Sequence, residues 1–225
     1  MKLEKKTIIL TGASSGIGQE LMRLLLLEGA RVYAFDRQTP ATTHKAMTFV
    51  QMDLCDPPSI EAAFKRVKKP IDLLINNAGI MRRGKVLDST EEEYDLLMDV
   101  NVKGSWLMLK HALPRLASDA AIVQMLSRHA LYPPEDPALY AASKIAIDRI
   151  LDFFERSYPQ HPVKRIYPGP TDTPLAREGL TPEQQQEKAK TMFAPADLAA
   201  LIITLIKEDK TKVEFDPRTW SHMMA

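Results

Sequence analysis

The sequence has little cysteine, no surplus charge of either sign and no long apolar run, and each shortage excludes something. A single cysteine, Cys55, cannot form an intrachain disulfide, which suits a reducing cytoplasm; the residue itself reads as a small buried hydrophobe. Thirty basic residues against twenty-nine acidic ones leave a net charge of +1, with no long block of one sign. Partners bound mainly through charge, such as nucleic acid or an anionic membrane surface, are therefore disfavoured. The longest apolar stretches, 24–27 and 198–206, fall far short of the ~20 residues that span a bilayer. The charged opening, Met1 to Lys6, leads directly into an apolar strand and lacks the h-region and cleavage site of a secretory signal. The expectation is a soluble cytoplasmic protein with no metal site. Nor is there an internal repeat, a low-complexity tract or a Pro/Gly/Ser linker, so residues 1–225 are expected to form one domain.

With 45% hydrophobic residues, a chain of this length can bury one substantial core. Short β-branched runs at 7–10, 31–35, 47–51, 72–75, 121–125 and 163–166 alternate with helical patterns at 19–28, 58–67, 91–113, 138–158 and 195–206. Such alternation predicts an α/β fold, a doubly wound parallel sheet with helices on both faces. Thr90 followed by Glu93 predicts a capping box at the start of the third helix. Loops 80–89, 128–137 and 171–194 follow strands, and in an open α/β sheet loops at the carboxyl ends of strands line the ligand crevice. The last of them contains a charged segment, 182–190, expected to be a short mobile helix.

The first strand runs into Thr11-Gly12-Ala13-Ser14-Ser15-Gly16-Ile17-Gly18 and then a helix, the context a dinucleotide-binding turn requires. Glycines there permit the tight turn, let backbone approach a pyrophosphate and let helix and strand pack closely, while the helix N-terminus offers N–H groups to phosphate. The spacing is G-x-x-x-G-x-G, and no G-K-[ST] follows to make a P-loop. The second strand ends at Asp36, where an acid can hydrogen-bond the adenosine ribose and repel a 2′-phosphate, favouring NAD over NADP. Arg37 beside it can neutralise that acid or accept the phosphate, so NADP stays possible.

Tyr140 and Lys144, at i and i+4 near the start of a helix, share one helical face. A phenol is a poor proton carrier at neutral pH, but a nearby ammonium favours the phenolate and brings its pKa toward the working range. Ser127, at the end of a strand, can place its hydroxyl with Tyr140 on one substrate oxygen. Singly, these residues read as a packed aromatic, a solvated lysine and a capping serine. Together, on a chain with a nucleotide turn, they read as an acid/base site.

In these residues the chain resembles the short-chain dehydrogenase/reductase family across about residues 6 to 175. Residues 11–18 are similar to its T-G-x-x-x-G-x-G turn, and Asp53-Leu54 to the pair beside the adenine. Asn76-Asn77-Ala78-Gly79 matches N-N-A-G, and Asn101-Val102-Lys103-Gly104 matches the motif holding a catalytic Asn. Tyr140-Ala141-Ala142-Ser143-Lys144 matches Y-x-A-S-K, and Pro168-Gly169 with Thr171 and Thr173 matches the segment that binds the nicotinamide carboxamide. The resemblance implies a Rossmann-like sheet of about seven strands and a tetrad of Asn101, Ser127, Tyr140 and Lys144, with Asn101 holding a water that links Lys144 to solvent. It also implies cofactor contacts from Gly12, Ser14, Ser15, Gly16, Ile17, Gly18, Asp36, Arg37, Asp53, Leu54, Asn77, Ala78, Gly79, Tyr140, Lys144, Pro168, Gly169, Thr171 and Thr173. The implied activity is hydride transfer between NAD(H) and a small-molecule alcohol or carbonyl. The implied assembly is a homodimer or homotetramer through the two long central helices, to which Ile145, Ile147, Phe153 and Phe154 contribute unless they are core.

The chain departs from the family's pattern at two places. Arg128-His129 stands where the family has small residues, and with Arg82 and Arg83 on neighbouring loops this suggests an anionic or strongly polar substrate; basic side chains that merely face water are the plainer reading. A final strand at 213–215 lacks the family's glycine-rich ending, which counts against the tetramer contact made there. Two other functions fit the same fold: an NADP-dependent reductase, which Ser15 at a position suited to a basic residue opposes, and a non-catalytic NAD-sensing or scaffold protein.

Overall fold

The computed structural model describes residues 1–208 and the strand at 212–214. Strands β1 (Thr7–Thr11), β2 (Arg31–Asp36), β3 (Met47–Gln51), β4 (Ile71–Asn76), β5 (Leu116–Met125), β6 (Val163–Tyr167) and β7 (Lys212–Glu214) form one parallel sheet in the order β3-β2-β1-β4-β5-β6-β7. Six are full strands, and the seventh is a three-residue edge; position 215 of the expected last strand lies outside the described residues. The strand order reverses between β1 and β4, which opens a crevice at the carboxyl ends of those two strands.

Side chains alternate between two cores, as a sheet covered on both faces requires. Ile8, Leu10, Leu73, Ile75, Ala121 and Val123 point to the side packed by helices α1 (Gly16–Leu27) and α8 (Pro195–Lys207). Ile9, Leu74 and Ile122 point to the side packed by α2 (Pro57–Lys65), α4 (Ser105–Ala112) and α5 (Ala138–Ser157). Helix α1 shows how pattern becomes packing: Leu21, Met22 and Leu25 share a face and are buried, each such side chain stabilising by about 1.5–3 kcal/mol, whereas Leu27 on the far face is exposed.

The stretch expected to be one helix at 91–113 is helical but not uniform. It runs as α3 (Glu91–Met98), a wider π turn over Asp99–Gly104, α4, and a 3-10 turn at Leu113–Arg115. The capping box at its start forms, Thr90 Oγ1 accepting from Glu93 N and Glu93 Oε2 accepting from Thr90 N. Strand β5 begins at Leu116, earlier than expected from the apolar run; its first residues are separated by a register irregularity from the part that pairs with Leu73 to Asn76. Two short helices follow β6: α6 (Pro174–Arg177) and α7 (Pro182–Ala189), the latter in the charged segment expected to be helical.

Candidate active site

A cavity of about 810 Å³ occupies the crevice at the carboxyl ends of β1, β4, β5 and β6. Its walls include every cofactor-contact residue expected above, together with Ser127, and residues from loops 80–89, 128–137 and 171–194. Asn101 stands just behind the wall, fully buried.

The outer half of the cavity is built around the glycine turn. A Cβ on Gly18 would come within 1.8 Å of the Gly12 carbonyl oxygen, so helix and turn approach as closely as they do only because residue 18 has no side chain. Asn77 fastens this turn to the one after β4: its Nδ2 donates to the carbonyls of Thr11 (3.0 Å) and Gly12 (3.1 Å), and its N–H, like that of Ala78, donates to Thr11 Oγ1. Helix α1 begins with Ser15 in an extended conformation that makes no side-chain cap, and no acidic residue occupies its first turn. The positive end of α1 therefore faces the cavity uncapped, and its N–H groups suit a pyrophosphate. Asp36 Oδ2 accepts from Ser14 N (2.8 Å) and Oδ1 from Gln38 N (3.0 Å), so its charge is fixed at the rim where an adenosine ribose would lie. Arg37 turns instead toward Asp53, 3.9 Å away, and leaves Asp36 its negative charge. These features fit a dinucleotide.

At the inner end the helix face predicted from the i, i+4 spacing is present. Tyr140 and Lys144 are 6% and 4% exposed, and Lys144 Nζ lies 5.8 Å from the Tyr140 ring centroid. The ammonium donates to the Met125 carbonyl at 3.1 Å, and burial holds its pKa down to about 8. Burial likewise pushes the Tyr140 phenol above its ordinary range, with the Ser127 hydroxyl, as a hydrogen-bond partner, pulling it back. In the protein by itself Lys144 faces a backbone carbonyl and is not among the influences on the phenol, whose direction burial sets. Ser127 also accepts from His129 N at 3.2 Å, so the strand-end serine caps a short turn (Arg128–Ala130) as well as facing Tyr140.

Asn101 lies in the π turn and spends its carboxamide on protein. Nδ2 donates to the Ile80 carbonyl (2.9 Å) and to Ser143 Oγ (3.0 Å), Oδ1 accepts from Ile80 N (3.0 Å), and Ser143 passes its own hydrogen to the Tyr140 carbonyl (2.7 Å). The loop after β4 and the first turn of α5 are thereby locked to one side chain. Gly79 forms the adjoining wall; a Cβ there would come within 3.1 Å of Asn101 Oδ1 and 3.2 Å of Lys144 Nζ and would fill the space between them. Beneath the site Asn76 donates to Gln124 Oε1 (3.2 Å), joining β4 to β5, and its own buried Oδ1 has no partner among the described residues.

The basic loop residues do not all face a ligand. Arg82 pairs with Glu178, and Arg83 donates to the carbonyls of Ala176 (3.1 Å) and Glu178 (3.0 Å), strapping loop 80–89 to the α6 segment. Arg128 lies over the Tyr132 ring, 5.2 Å from its centroid. His129 stands edge-on to Tyr140, ring centroids 6.1 Å apart. Sequence reasoning named the loops but missed Met81, Leu96, Val100, Leu175 and Met192, whose apolar side chains line the same cavity. The same loops also hold Val86, Leu87, Leu180 and Phe193, so residue type alone does not single out the cavity-lining ones.

A family model described as short chain dehydrogenase matches residues 6–184. Oxidoreductase UcpA of Salmonella typhimurium is 35% identical over 193 residues, covering 78% of this chain and 73% of its own. A short-chain dehydrogenase from Burkholderia cenocepacia, solved in complex with NADP, is 28% identical, covers 100% of this chain and 93% of its own, and superposes with a TM-score of 0.86. One from Burkholderia phymatum, solved in complex with NAD, shares the fold at 19% identity and a TM-score of 0.83, with the same coverage. The sheet order, the fastened glycine turn and these matches agree: the chain belongs to the short-chain dehydrogenase family and is an NAD(P)-dependent oxidoreductase.

Proposed function

We propose that this enzyme interconverts an alcohol and a carbonyl, with Tyr140 as the proton-transferring acid/base and NAD(H) as the preferred cofactor. The observation that carries the proposal is the convergence of buried Tyr140, Ser127 and Lys144 at the inner end of a cavity whose outer end is the uncapped, glycine-lined helix terminus. The nicotinamide, when bound, supplies or accepts the hydride. Tyr140 delivers a proton to the substrate oxygen on reduction and removes one on oxidation, and Ser127 places a second hydroxyl on that oxygen. Lys144 contributes positive charge behind the phenol. Asn101 is a positioning residue that holds Ile80 and Ser143, and through them the cavity wall and the first turn of α5.

Asp36 supports NAD, since its carboxylate is held at the rim by two backbone N–H groups while Arg37 is directed to Asp53. The whole chain acts as one catalytic unit on a small molecule. The outer faces of α4 and α5 expose Trp106 (43%) and Phe153 (65%), a surface for homodimer formation; Ile147 is buried with Leu126 and Tyr167, and Phe154 packs partly buried against the separate core beneath α2 and α4.

Tyr140→Phe tests the proposal. Loss of turnover by ~10²-fold or more, with NADH binding retained by fluorescence titration, supports Tyr140 as the proton carrier. Turnover within a few-fold of wild type would overturn it.

A further inference from the structure

His129 enters no step of the mechanism above, yet it is held beside the reacting groups. Its backbone N–H bonds Ser127 Oγ, and the short turn it belongs to is closed by Ala130 N on the Ser127 carbonyl (2.9 Å) and Tyr132 N on the Arg128 carbonyl (2.9 Å). The ring lines the cavity, edge-on to Tyr140. Neither ring nitrogen has a hydrogen-bond partner among the described residues. The ring nitrogens open onto the cavity, where solvent or a ligand pairs with them.

The charges facing the ring decide what ligand suits it. Burial is the largest influence against its protonated form, the neighbouring arginines, Arg83 among them, add to it, and Asp136 opposes them. Asp136 is exposed, and its Oδ1 accepts from Gly84 N (2.8 Å), so solvent screens much of its charge. Arg82 is neutralised by Glu178, but Arg83 donates only to backbone carbonyls, which satisfy its hydrogens without cancelling its charge. Tyr140 and Ser127 are neutral. The space in front of the ring therefore has a positive potential and an imidazole able to donate one hydrogen bond.

We propose that His129 is a specificity-determining residue that binds a carboxylate on the substrate, next to the carbon that exchanges hydride, so that the substrate class is a small hydroxy or oxo acid. The inference rests on the alcohol/carbonyl reading above. It is independent of Arg82, which the structure assigns to the strap.

The test compares NADH oxidation by the full chain on pyruvate and acetoacetate with that on their methyl esters and on acetone. The expected result is a kcat/KM at least ~10-fold higher for an acid than for its ester, the discrimination of a site whose polar group is left unpaired by the wrong substrate. His129→Ala should bring that ratio to within about threefold of unity, and His129→Gln, which keeps a donor, should restore part of it. NADH titration of both variants reports whether the cofactor half of the site is intact. Tyr140-dependent turnover with a ratio near one, or a ratio that survives His129→Ala, overturns the assignment of His129 and leaves the proposed function standing. Absence of turnover on both acids while NADH binding is retained overturns the acid assignment, and the proposed function is judged separately by Tyr140→Phe on whichever alcohol or carbonyl the enzyme turns over.

Discussion

Lys144 is the residue at which the proposed function and stability conflict most sharply. Its ammonium is buried, with the Met125 carbonyl as its hydrogen-bond acceptor, and burial lowers its pKa from 10.5 to about 8. A base whose folded pKa lies below its unfolded one binds fewer protons folded than unfolded between those two values, so stability rises with pH across about 8 to 10.5. Below pH 8 the full cost of burying the charge is present, an upper value of about 3 kcal/mol. Lys144→Met should therefore melt at a higher temperature than wild type at pH 7, with the gap narrowing as pH is raised toward 9.5. Calorimetry or circular dichroism at several pH values checks this; a gap that widens with pH would mean that burial of the charge is not what Lys144 costs the fold. The proton role proposed for Tyr140 has a related lesson. The i, i+4 spacing correctly placed the phenol and the ammonium on one face, but spacing carries no information about desolvation, which sets the direction of both pKa values here.

Among elements, the turn between β1 and α1 was the most legible, because steric necessity leaves its mark on residue type. Gly18 is required by its distance to the Gly12 carbonyl, and Gly18→Ala should cost at least ~3 kcal/mol, the upper end for forcing atoms into a packed site. A fall in the urea midpoint at unchanged m, accompanied by weakened NADH quenching, is the expected pair of results; an unchanged midpoint would show that α1 can move away from the turn without loss. The segment 91–113 was less legible. Its apolar periodicity gives a helix, and the capping box fixes where it starts, but the π turn at Asp99–Gly104 leaves no periodic signal. It coincides with the tertiary bonds from Asn101 to Ile80 and Ser143, contacts between residues 21 and 42 positions apart that no local pattern encodes. The early start of β5 was missed for a similar reason: its first residues are held by pairing with Ile71, not by an apolar run of their own.

At the scale of the molecule, alternation of strands and helices was enough to specify a doubly wound sheet, and the change of winding direction between β1 and β4 then fixes where a ligand goes. What the alternation does not encode is how loops from separate strands close over that crevice, as when Arg83 reaches α6 or Gly84 reaches Asp136. Cofactor choice lies between these cases, because it depends on one rim carboxylate whose environment only the fold reveals. A ligand that binds the folded state alone, present at a hundred times its Kd, stabilises that state by about 2.7 kcal/mol. For a chain of this length that is a rise in Tm of roughly 5–10 °C. NADH should produce such a shift and NADPH at equal concentration a much smaller one, since the Asp36 carboxylate repels a 2′-phosphate. Asp36→Asn removes the charge while keeping one acceptor for the N–H groups of Ser14 and Gln38, so the turn retains part of its support. In that variant the NADPH shift should grow and the NADH shift shrink. If NADPH already gives the larger shift in wild type, Arg37 must leave Asp53 to hold the phosphate, and the charge on Asp36 does not decide which cofactor the enzyme takes.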